Sequence, residues 1–269
     1  MSNISPRRFV EAVADAFTGN ARGQTESFLN PARSILLRLN GAWRRYVLEK
    51  PVIALRGAEL VNLVNSRDFR SRLAEAARRT VSTNREAGFQ YYQDIDNKDE
   101  LWSPVIEGYV HEIPHEFFTD WMIDNLRDDS NGNCHELLSL HIHTYPASGL
   151  ALSSEDVELT CSPACDEYDV RPVIMVGALD PTNMTRGHLL SMQRTDREPY
   201  PYATEVLHEA WKRVVAVEKD WPSSRVADAL EVPGYLKAAV VPFYTTPQSD
   251  LADIVLTDAF RRLAQHGNL

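Results

Sequence analysis

A mixed α+β fold is what this sequence predicts, on three observations. Some segments repeat apolar residues at helical spacing, others alternate them with period two, and the two kinds are interleaved along the chain. Interleaving of this kind places helices against a central sheet. With 269 residues, 43% hydrophobic and 25% charged, there is enough apolar material for a substantial core in one large domain or two smaller ones.

The elements follow in order. Ser5-Pro6 reads as an N-cap and first-turn proline, with Phe9, Val10, Val13, Ala14 and Phe17 on one helical face before Gly19. Asn30-Pro31 repeats that start ahead of Ile35, Leu36 and Leu39, and Gly41 stops it. Residues 1–50 are therefore expected to form a helical extension. Val52-Ile53-Ala54-Leu55 is a short run of strand type. Ser66 opens a helix with Phe69, Leu73, Ala76, Ala77 and Thr80 inward and arginines outward, punctuated by Asn84 to Gly88. Phe89 to Tyr92 and Val105 to Ile113 read as strands. Phe117, Phe118, Trp121, Met122 and Leu126 suggest a helix, and Asn131-Gly132-Asn133 a turn.

Leu138 to His143 alternates with period two, so Leu138, Leu140 and Ile142 face a core while His141 and His143 leave the opposite face together. Ser153 to Asp156 begins a short helix. Val173 to Val176 is a buried strand, Asp180 to Gly187 a turn and Leu189 to Gln193 the hairpin partner. Thr204 caps a helix carrying Leu207, Ala210, Trp211, Val214 and Val215, and Asp250 starts another with Leu251, Ile254, Val255, Ala259 and Leu263. The expected organisation is a helical extension over 1–50, a central α+β domain over 51–200, and a helical addition over 201–269 packed on it.

Composition narrows the function. No run approaches the roughly 18 to 20 apolar residues that span a bilayer, and the N-terminus lacks an apolar signal core, so a soluble protein with no membrane partner is expected. Three cysteines make no disulfide framework, which points to a reducing compartment and a cytoplasmic location. Residues 1–50 carry eight basic against four acidic side chains, whereas 101–269 carry 12 against 26. Such an acidic majority repels phosphate backbones, so nucleic acid is not the expected ligand; a basic protein or a cation suits it better.

His141-x-His143 supplies two imidazoles on one strand face, a pair of ligands for one metal, and Asp156 is the natural third across one loop. Ser153-x-x-Asp156 also reads as a capping box. In combination, His141-Ile-His143 followed by Ser153-Ser-Glu-Asp156 resembles the His-x-His…Ser-x-x-Asp signature of the JAMM (MPN+, JAB-domain) zinc metalloproteases. Glu86-Ala87-Gly88, 55 residues before His141 and after a strand and a long helix, is similar to that family's upstream catalytic glutamate context. Residues 173–195 are similar to the strand pair that follows its metal motif, so the resemblance spans about residues 51–195. The chain departs from the pattern in having Thr144 after the second histidine, and nine residues between His143 and Ser153 where seven are usual.

The resemblance implies a central mixed sheet flanked by helices, and one zinc ion held by His141, His143 and Asp156. Such a zinc polarises a scissile carbonyl and lowers the pKa of its bound water toward ~7. It implies Glu86 as general base and then acid, with Ser153 stabilising the oxyanion. Glu107, Glu112, Glu116 and Glu136 compete for the role of base without the helix–Glu-x-Gly–strand context. It further implies cleavage after the C-terminus of ubiquitin or a ubiquitin-like protein. Bacterial members accompany ubiquitin-like conjugation and antiviral systems, so conjugation-system partners are expected, with the chain ends as their recognition surfaces. Cys161 and Cys165 read as ordinary thiols, not a second zinc site, and His111, His115 and His135 lack ligand spacing. Two other readings remain. The run from His141 to Gly149 is similar to the opening of PHP-type metal-dependent phosphoesterases, although only His188, His208 and His266 follow it. A non-catalytic MPN-type scaffold is the other.

Overall fold

A computed structural model of the chain describes residues 52–94, 98–121 except 111, 115 and 119, 134–143, 170–195 except 181, 212–213, 224–232, 236–246 and 249–265. The chain divides into two compact units, Met1–Lys50 and Pro51–Leu269. The N-terminal helices expected in the first unit, the Ser153–Asp156 helix start, the cysteines at 161 and 165, and nearly all of the helix expected from Thr204 lie outside the described residues.

The second unit is mixed α+β. Helix α1 spans Gly57–Asn65, α2 Arg67–Thr83, α3 Ser224–Leu230 and α4 Asp258–Gln265. The strands are β1 Ala87–Asp94, β2 Glu100–Trp102, β3 Ile106–Glu107, β4 Cys134–His143, β5 Val173–Asp180, β6 Asn183–Arg194, β7 Leu236–Tyr244 and β8 Asp253–Ile254. They form one eight-stranded sheet in the order β2-β1-β4-β5-β6-β7-β8, with β3 also paired to β1. Among these strands β4 and β5 run parallel and the other pairings are antiparallel.

Alternation along the strands makes two apolar layers. Phe89, Leu138, Leu140, Ile142, Met175, Leu189, Val241 and Phe243 bury against α1, α2 and α4. Ile174, Val176, Leu190, Met192 and Ala238 point the other way, with Val226, Ala227 and Leu230 of α3 upon them. Helix α2 forms where the sequence predicts. The Ser66 side chain accepts from the Phe69 amide, Asn84 ends the helix at φ 53° in the left-handed region, and Phe69, Leu73, Ala76, Ala77 and Thr80 are buried. Phe69 meets Phe89 edge-on at 5.5 Å, and Trp102 closes the cluster at 5.9 Å from Phe89 and 4.7 Å from Tyr91.

Several elements differ from the sequence expectation. Residues 52–55 contribute only the bridge between Ile53 and Val170, and the chain then enters α1, whose Leu60, Leu63 and Val64 are buried. The strand expected over 105–113 shrinks to β3, because Tyr109 N donates to Glu112 O at 2.7 Å and folds the chain back just past Gly108. The Gly108 amide donates to Glu86 O at 2.8 Å, and a Cβ there would strike the Glu112 carbonyl. The expected turn over 180–187 is tighter: Asp180 accepts from Thr182, and β6 already begins at Asn183. The helix expected from Asp250 starts instead at Asp258, because Thr257 Oγ1 accepts from the Phe260 amide and caps it. Ahead of that cap, Val255 N donates to Pro242 O and Arg70 holds Ala252 O at 2.7 Å, which keeps the segment extended. The sheet also continues beyond residue 200, where only helices were expected. Strand β7 pairs with β6 from Arg194–Leu236 to Arg186–Tyr244, so it belongs to the central sheet. No helix among the described residues is long and apolar enough to cross a membrane.

Candidate metal centre

Strand β4 presents the two histidines as its alternation requires. Leu138, Leu140 and Ile142 are fully buried on one face, and His141 and His143 stand on the other with ring centroids 4.8 Å apart. Their lateral neighbours are small or close-packed. His141 lies between Gly88 of β1 and Val176 of β5, and His143 lies beside Ala178.

Glu86 reaches this pair through register. Ala87 opposes Ile142 and Gly88 opposes His141, so the residue before β1 stands opposite His143. The backbone of Glu86 is held on both sides: its amide donates to Tyr109 O at 2.8 Å and its carbonyl accepts from Gly108 N at 2.8 Å. Glu86 is 3% exposed, and its Oε1 lies 3.4 Å from Nδ1 of His143. Thr80 Oγ1 donates to Ile142 O at 3.5 Å, tying the end of α2 to the end of β4. Gly88 permits the close approach of the two strands. A Cβ there would strike Leu140 O and come within 3.0 Å of both Cα and Cβ of His141.

Three of the five predicted site residues, Glu86, His141 and His143, therefore come together. Ser153 and Asp156 lie outside the described residues. Among the described residues no three His, Cys, Asp or Glu side chains are grouped so as to hold a metal ion. Two adjacent imidazoles beside a buried carboxylate are donor types that zinc takes.

The competing carboxylates sit elsewhere. Glu107 lies 3.6 Å from Arg85, and Glu112 and Glu116 are exposed. Glu136 is on β4 but seven residues before His143, roughly 20 Å along the strand. There it accepts from Gln90 Nε2 at 3.0 Å; the same nitrogen donates to Ser139 at 3.4 Å, and the Tyr92 hydroxyl donates to Gln90 Oε1. Burial raises the Glu136 carboxyl from its ordinary 4.5 to about 7. Because the folded value exceeds the unfolded one, folding favours the protonated acid. That stabilisation is complete below about pH 4.5 and is lost as pH rises through about 7. Glu136→Gln is thus expected to remove a decline in stability of about 2–3 kcal/mol between pH 5 and 8. Urea unfolding at the two pH values checks this; an identical decline in the variant would refute it.

No protein-family model matches this chain, and no curated protein matches it.

Proposed function

We propose that the chain is a zinc-dependent isopeptidase of the JAMM type, cleaving after the C-terminus of ubiquitin or a ubiquitin-like protein. The contact of 3.4 Å between the buried Glu86 carboxylate and His143, beside His141, is the observation that supports this reading most. A general base within reach of a histidine pair, on the face opposite the core, is what hydrolysis at a metal requires. The substrate class, a bacterial conjugation or antiviral setting and a cytoplasmic location rest on the resemblance and the composition, and belong to the same proposal.

His141, His143 and Asp156 would hold the ion. When bound, zinc supplies Lewis acidity toward a carbonyl and toward water. Glu86 accepts the proton of the attacking water at a carboxylate oxygen as the C–O bond forms, and then returns it to the amine nitrogen as the tetrahedral adduct collapses and the amide C–N bond breaks. The low exposure of Glu86 limits competing water and keeps its carboxylate in one place. Ser153 donates a hydrogen bond to the developing oxyanion.

Metal analysis of the purified chain tests the centre directly. One zinc per chain is expected, and H141A/H143A together should abolish it. Absence of zinc from the parent chain would favour the MPN-type scaffold, whereas two or three metals with phosphatase activity would favour the PHP-type reading.

A further inference from the structure

The sheet face that carries His141 and His143 continues sideways. The register runs from His143 to Ala178, from Ala178 to His188 and from His188 to Pro242, so these four residues form one row across β4, β5, β6 and β7. Past His188 the row opens into a cavity of about 420 Å³, within the size range of small-ligand sites.

Val240, Pro242 and Leu263 are among its apolar lining residues, and His188 lines it as well. Nδ1 of His188 is buried and makes no hydrogen bond among the described residues. A buried polar atom left unsatisfied costs stability. Burial holds this imidazole below its usual pKa, outweighing the opposing pull of Asp180, so the ring is uncharged at neutral pH and can serve as a hydrogen-bonding group.

Charged residues of both signs line it: Asp228 of α3, Glu231 just beyond it, Lys237 of β7 and Arg262 of α4. None of the four side chains makes an ion pair among the described residues. Two cations and two anions that line one cavity with apolar residues and form no ion pair among the described residues match a ligand that bears both charges on a short apolar body.

We infer that this cavity binds a small zwitterion with an aliphatic side chain, an α-amino acid or a dipeptide. Its ammonium faces Asp228 and Glu231, its carboxylate faces Lys237 and Arg262, and its side chain rests on the apolar lining residues beside His188. The inference needs no metal and stands apart from the proposed hydrolase activity.

Calorimetric titration of the full chain with L-leucine and with the dipeptide Ala-Leu tests it, with N-acetyl-leucine and leucine amide as probes lacking one charge. At least one zwitterion should bind saturably, and which of the two binds tells a free amino acid from a dipeptide. Each singly charged probe should bind about tenfold more weakly or worse than leucine, the loss of one charge-assisted contact. D228N/E231Q should erase the penalty for acetylation, and K237Q/R262Q the penalty for amidation. No saturable binding of either zwitterion, equal binding of the capped probes, or penalties unchanged in the two double variants would each overturn the assignment.

Discussion

Glu86→Gln should fold and bind zinc like the parent chain while losing about 10²–10⁴ in cleavage rate, the usual contribution of a positioned general base. The substitution preserves shape, and the two backbone hydrogen bonds that hold residue 86, from its amide to Tyr109 O and from Gly108 N to its carbonyl, do not involve the side chain. What disappears is the proton acceptor beside His143. The measurement is cleavage of a panel of ubiquitin-like fusions by both proteins, with zinc content recorded in parallel. Equal rates would remove Glu86 from the mechanism, and loss of zinc along with activity would recast it as a ligand. Glu136→Gln serves as the contrast, because Glu136 lies far along β4 and its carboxyl belongs to the Gln90, Tyr92 and Ser139 network. Its substitution should alter the pH dependence of stability and leave cleavage in place.

Gly88→Ala should cost about 3 kcal/mol or more, at the upper end of overpacking substitutions. The added methyl has no space, since it would strike the Leu140 carbonyl and crowd Cα and Cβ of His141. Those are backbone and near-backbone atoms in the middle of a sheet, so relief requires β1 and β4 to move apart. Separation would also loosen the register that sets Glu86 opposite His143. A fall in melting temperature of about 6–12 °C is expected for a unit of this size, together with weaker zinc retention. A variant as stable as the parent would show that the two strands do not need this close approach.

Helix α2 and strand β4 were legible in the sequence because their signals are local. A Ser66 cap, an Asn84 stop and five inward positions define the helix, and period-two alternation over Leu138–His143 assigns each side chain to a face. The pairing of His141 with His143 follows from that alternation alone. Asp250 misled for a related reason: a helix-capping residue type stands there too, but Val255 N bonds to Pro242 O and so prolongs the extended chain as far as the Thr257 cap. Strand β7 went unread because its identity depends on β6 lying alongside it, a pairing between residues more than forty positions apart.

The amino-acid order alone settles which side chains share a strand face, where α2 begins and ends, and the acidic balance of residues 101–269, all consequences of spacing and composition. It marks Glu86 as a candidate by its neighbours but does not bring it to His143. The antiparallel register of β1 on β4 does that, and the same long-range pairing carries the row through Ala178 and His188 to the cavity. Register is a cooperative property of several strands and the core beneath them, so no single segment encodes it.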